Sequence, residues 1–176
     1  MYEKISVPIA LLLFLTLFGC GGGSGSGGSG KDTPQLTQKT VAITISTSSA
    51  DSAITLGGIN TSFKLPAGTT LPLADQVTGE ISGSAIQGLN NFSVLGPKLN
   101  TTDRTVTIIG GNASGFSAGQ PFVRLICTVE NGVTLPANTA SSLATDTFEV
   151  SEVLNGSDVS VSTGVVQPLF SVEFGY

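Results

Sequence analysis

Few residues in this chain are of types suited to bond-making chemistry. It holds two cysteines, Cys20 and Cys127, and no histidine. That removes the commonest general base and the commonest metal ligand together. In Pro121–Glu130, Val123, Leu125, Cys127 and Val129 alternate with Phe122, Arg124, Ile126 and Thr128. A period of two is the strand period, so Cys127 is expected on a core-seeking face, packing as a small hydrophobe. A reactive thiolate wants a cationic neighbour or a helix N-terminus, and the sequence shows neither. Cys20 is separated from Cys127 by a Gly/Ser tract and most of the chain, so no disulfide is expected. Glu149 and Glu152 could make a carboxylate pair, but their strand-and-turn setting has no pocket signal and they read as solvated groups. Asp51, Asp103 and Asp158 fall in turns, none within an oxygen-ligand run that would wrap calcium. Gly110, Gly111 and Gly115 make a flexible loop, not a phosphate loop, since no Lys-Ser/Thr follows and no helix begins. The expectation is no catalytic residue, no metal site and no cofactor.

Charge narrows the partners. Net charge is −5. The basic residues beyond Lys4 (Lys31, Lys39, Lys64, Lys98, Arg104 and Arg124) are scattered, so nothing gathers to neutralise phosphates and nucleic acid is not expected. Charged residues are only 11%, and the remainder is rich in Thr, Ser, Gly and Val, which suits an all-β extracytoplasmic domain with many turns.

The chain opens with Lys4 followed by an apolar run, Ile5–Gly19. Fifteen residues are short for a spanning helix, which needs about 20, so residues 1–19 read as an export signal. Leu17-Phe18-Gly19-Cys20 resembles the lipobox of bacterial lipoproteins, with Phe18 departing from the usual small residue. The resemblance implies cleavage before Cys20, a diacylglycerol on its sulfur and an acyl chain on its new amino group. Each buried CH₂ contributes ~0.8 kcal/mol, so two or three chains anchor firmly where one does not. Gly21, in place of the Asp that commonly retains such lipoproteins in the inner membrane, leans toward the outer membrane of a two-membrane cell. Residues 20–35 then comprise the lipidated Cys and a flexible linker containing GGGSGSGGSG, with a reach of ~20 Å.

Residues 36–176 read as one domain of about 140 residues. Strands are expected at Val41–Ser46, Ile59–Leu65, Val77–Ser82, Phe92–Leu95, Arg104–Ile109, Pro121–Glu130, Thr147–Val150, Val159–Val161 and Val165–Phe174. Ser84–Leu89 reads as a strand or one helical turn, and Asn131–Ser142 as a loop. About nine short strands separated by turn residues predict an all-β, jelly-roll-like β-sandwich.

Three stretches, Gly57–Leu71, Arg104–Val129 and Asp146–Val161, together resemble the cohesin family. The features are a strand closing on a Pro turn, a strand pair flanking the Asn112–Phe116 loop, and a late strand beginning at Phe148. Leu65-Pro66-Ala67-Gly68 departs from the family's Tyr-Asp-Pro. The resemblance implies a nine-stranded sandwich that binds a dockerin-like protein, with calcium carried by the partner. It also implies that an early strand and the Pro121–Glu130 strand share the sheet that meets the partner. Asn60, Ser62 and Lys64 would then join Phe122, Arg124 and Ile126 in one contact surface. Interface centres favour aromatic residues and Arg. The alternatives are a polysaccharide-binding module, since the two families share a broad superfamily, and a structural envelope lipoprotein with no discrete ligand. The absence of Trp argues against flat stacking on crystalline polysaccharide, although loop Asn and Asp residues could hold one soluble sugar.

Overall fold

The computed structural model describes residues 37–50, 54–154, 157–161 and 165–176. The expected export signal, Cys20 and the expected linker lie outside the described residues, as do Asp51 and the turn expected at Asn155-Gly156. In chain order the elements are β1 (Thr40–Ser49), β2 (Thr55–Lys64), β3 (Thr69–Thr70), β4 (Leu73–Asp75), β5 (Glu80–Ile81), β6 (Ile86–Gly88) and β7 (Ser93–Asn100). There follow β8 (Thr105–Ser117), β9 (Pro121–Val129), the one-turn α1 (Thr139–Ser142), β10 (Thr145–Leu154), β11 (Ser157–Val161) and β12 (Val166–Gly175).

Two antiparallel sheets form a sandwich. One has the order β12-β1-β9-β3, with β6 also paired to β9. The other runs β11-β10-β2-β8-β7-β5-β4. The chain passes repeatedly between the sheets, as the jelly-roll-like expectation required. Period-two patterning explains the packing. Val41, Ile43 and Ile45 of β1 and Leu125, Cys127 and Val129 of β9 point inward from one sheet. Ile59 and Phe63 of β2, Val106 and Ile108 of β8, and Phe148 and Val150 of β10 point inward from the other. Phe170, Val172 and Phe174 of β12 pack against this core from the edge.

Three local expectations need correction. Val77 is 94% exposed at the tip of a turn, and only Glu80–Ile81 of Val77–Ser82 is strand. The Asp75 carboxylate accepts bonds from the Val77 and Thr78 amides and so stabilises the turn, and those bonds hold its pKa below the ordinary value. The stretch after Ile109 is not simply a loop, because β8 continues to Ser117. Between the pairs Gly58↔Gly111 and Leu56↔Phe116, β2 has one residue and β8 has four, so Asn112–Gly115 bulges out before pairing resumes. Gly115 makes this turn with φ +74°, and a Cβ there would lie 2.2 Å from Thr55 Cγ2.

The third correction concerns Phe122, expected on the partner-binding face. It is fully buried, as is its neighbour Val123. Ile45 pairs with Val123 and Ser46 with Pro121, leaving Phe122 as an extra residue in the ladder. This bulge interrupts the alternation, so two consecutive side chains enter the core. Phe122 packs there against Phe92 and Phe116, with ring centroids 5.2 and 6.4 Å away.

Candidate functional site

The six residues expected to form one contact surface do not do so. Asn60, Ser62 and Lys64 lie on β2, which pairs with β10 and β8. Arg124 and Ile126 lie on β9, which pairs with β1, β3 and β6. Both sets point away from the shared core, so they occupy opposite faces of the sandwich. Phe122 belongs to neither. The shared-sheet expectation fails because the hydrogen-bond ladders put these strands in different layers.

On the β9 face, Arg124 Nη2 donates to Glu173 Oε2 at 2.7 Å, reaching across β1 to β12. Both partners are open to water, with 39% and 68% of their side chains exposed. Such a pair is worth up to about 1 kcal/mol and fixes little. Ile126 is 43% exposed and stands opposite Ala42. Leu169, also exposed, is paired with Ser46 further along, so these apolar groups are not joined.

The β2 face is different. Asn60 Nδ2 donates to Glu149 Oε2 at 2.9 Å on the neighbouring β10. On its other side Asn60 stands opposite Ile109 of β8, which stands opposite Leu95 of β7. Ile109 is 47% and Leu95 62% exposed, so two large apolar side chains sit side by side in water. The sequence held a signal for this: Ile108 and Ile109 are consecutive in a strand, and only one could face the core. Ser62 is nearly buried between Thr147 and Thr107, and Lys64 is exposed at the strand end. Beside Asn60 the face dips. Gly58 carries no side chain there, and an open depression of about 260 Å³ forms, bounded by Asn60, Ile109, Glu149 and Ser151. The result is a polar ledge, a shallow trough and an apolar ridge on one face.

No family model matches the chain, and no curated protein and no solved structure matches it.

Sites of reactive chemistry are sparse. Cys127 is sealed in the core, and burial pushes its thiol up to about 12 despite the opposing charge of Arg104. Arg104 itself has a structural task. It adopts φ +65°, and its Nη2 donates to the carbonyls of Pro66 (2.7 Å) and Thr69 (2.6 Å), clamping the turn after β2. No group of three or more metal-ligating side chains gathers among the described residues. Among the described residues no helix is long and apolar enough to cross a membrane.

Proposed function

We propose that this protein is a non-catalytic binding module of cohesin type, held at the cell envelope by lipid on Cys20. Its partner is a dockerin-like protein that carries its own calcium. The partner meets the outer face of the seven-stranded sheet. The observation that carries this reading is the exposed Leu95–Ile109 pair, flanked by the Asn60–Glu149 bond, with Lys64 four residues further along β2. An apolar centre with a polar rim is the usual anatomy of a protein interface. This face also carries Asn60, Ser62 and Lys64, the early-strand residues that the family resemblance points to. The β9 face, with Arg124 and Ile126, is left outside the interface. A polysaccharide partner has less support, because flat stacking needs open aromatic planes. Among the described residues no Phe is exposed, and Tyr176 at the chain end is the one exposed aromatic.

The test is retention of protein from the source cell on immobilised chain, with calcium and with chelator. Ile109→Lys and Arg124→Glu are run alongside. The reading expects a helical protein with calcium loops, retained only with calcium, lost with Ile109→Lys and kept with Arg124→Glu. Retention that survives Ile109→Lys but not Arg124→Glu would move the interface to the β9 face. Retention of no such protein under either condition would refute the reading.

A further inference from the structure

At one end of the sandwich three segments converge: the β6–β7 turn, the Asn112–Gly115 bulge of β8, and the β8–β9 turn. They bring the carboxamides of Asn90, Asn91, Asn112 and Gln120 around an open depression of about 260 Å³, with Ser117 at its rim and Phe116 beneath. We propose that this depression binds one neutral sugar ring, independently of the protein-binding face.

The first argument is chemical. No Asp, Glu, Lys or Arg lines the depression, so it offers nothing to balance a charged ligand. Each carboxamide carries a donor and an acceptor, which match hydroxyl groups that both donate and accept. Internal bonds use only part of this capacity. Asn90 Nδ2 donates to Pro121 O at 2.7 Å and to Gln120 Oε1 at 3.5 Å, and Asn112 Oδ1 accepts from the Ser114 amide at 2.9 Å. Among the described residues, Asn90 Oδ1, both ends of Asn91, Asn112 Nδ2 and Gln120 Nε2 have no hydrogen-bond partner. Turn formation accounts for the Asn90 side chain but asks nothing of the Asn91 amide or of Gln120 Nε2.

The second argument is rigidity. Asn90 and Asn91 both have positive φ, 51° and 63°, in a turn closed by Phe92 N donating to Leu89 O at 2.9 Å. Leu89 N donates to Phe122 O at 2.8 Å, tying this turn to β9. Gly119 N donates to the buried Thr47 hydroxyl at 2.9 Å, which fixes the β8–β9 turn. Below, the rings of Phe92, Phe116 and Phe122 pack together. The backbone that carries these amides is thus held in place before a ligand arrives, which lowers the ordering cost of binding. The hollow lies below the size range of pockets that enclose drug-sized ligands, ~300–1,000 Å³, so it suits a single ring and not a chain. No open aromatic plane is available for stacking, and a dissociation constant on the order of 1 mM is expected.

The side-chain NH₂ signals of Asn and Gln report on the site directly. The full chain, in a detergent without a sugar headgroup, is titrated with glucose, galactose, mannose and N-acetylglucosamine. Glycerol and glucuronate serve as controls. The proposal expects saturable shifts of the Asn91, Asn112 and Gln120 NH₂ signals with at least one neutral sugar, and none with glycerol. Glucuronate should shift them at least several-fold more weakly than that sugar. Gln120→Ala and Asn91→Asp should each weaken binding at least several-fold while backbone signals of both sheets stay in place. Absence of saturable shifts with all four sugars, or shifts shared with glycerol, or binding unaffected by both variants, would overturn it. Ile109→Lys should leave these shifts unchanged, so this site and the protein-binding face fail separately.

Discussion

Replacing Phe122 by Ala separates a core residue from a surface one. Its ring has no exposed area and touches Phe92 and Phe116 at centroid distances of 5.2 and 6.4 Å. Truncating a buried Phe to Ala removes apolar burial and leaves a cavity, which together cost about 3–5 kcal/mol. Domains of this size hold about 5–15 kcal/mol in total, so the loss is a large fraction. At about 4 °C per kcal/mol, the melting temperature should fall by roughly 12–20 °C. Urea unfolding should show a lower midpoint with an unchanged slope, since the surface exposed on unfolding hardly alters. Ile126→Ala on the same strand is the control. Its side chain is 43% exposed, and the change should cost less than about 1 kcal/mol. A loss below about 1 kcal/mol for Phe122→Ala, with the slope unchanged, would refute the bulge and return Phe122 to the surface.

Thr61 faces the core with no exposed area, and its hydroxyl has no hydrogen-bond partner among the described residues. An unsatisfied buried hydroxyl costs about 1–3 kcal/mol, so Thr61→Val should raise stability by about 1 kcal/mol, read from the denaturant midpoint. Cys127, its thiol pushed to about 12, should resist thiol reagents in the folded protein and react once denaturant opens the core, as peptide mass spectrometry would show. The linked pH effect has a definite sign. Above about pH 8.5 the unfolded thiol ionises while the folded one keeps its proton, so the unfolded state binds fewer protons and stability falls as pH rises. This fall should be smaller in Cys127→Ala, measured by unfolding midpoints on either side of that pH.

The fold was legible where alternation ran unbroken. Val123, Leu125, Cys127 and Val129 are all buried, and Phe170, Val172 and Phe174 pack inward from the last strand. Alternation is a local signal, and a single inserted residue reverses it. Phe122 falls on the wrong face of the pattern for that reason, because nothing in Pro121-Phe122-Val123 announces a bulge. The Gly-rich run 110–120 has the composition of a loop, because glycine normally marks one. Here Gly110 lies within a strand instead, and a Cβ on it would come 2.5 Å from the Phe92 ring. Layer membership was not legible at all. Whether β2 and β9 share a sheet depends on pairings distant in sequence, such as Lys64↔Thr105 and Ile43↔Leu125, which no local pattern encodes. That is why the expected contact surface divides in two, while within β2 Asn60, Ser62 and Lys64 alternate with the core-facing Ile59, Thr61 and Phe63.

The pairing of the first strand with the last has a mechanical side. β1 lies between β12 and β9, in continuous register from Thr40↔Gly175 to Ser49↔Val166 on one side and from Thr40↔Thr128 to Ile45↔Val123 on the other. Tension along the strand axis, entering at Thr40, loads both ladders in shear, so many hydrogen bonds share the force and must yield together. Peeling would instead break them one at a time. A domain pulled at Thr40 would therefore resist through the full length of β1, whereas the two-residue β3 and β5 have no comparable ladder over which to share a load.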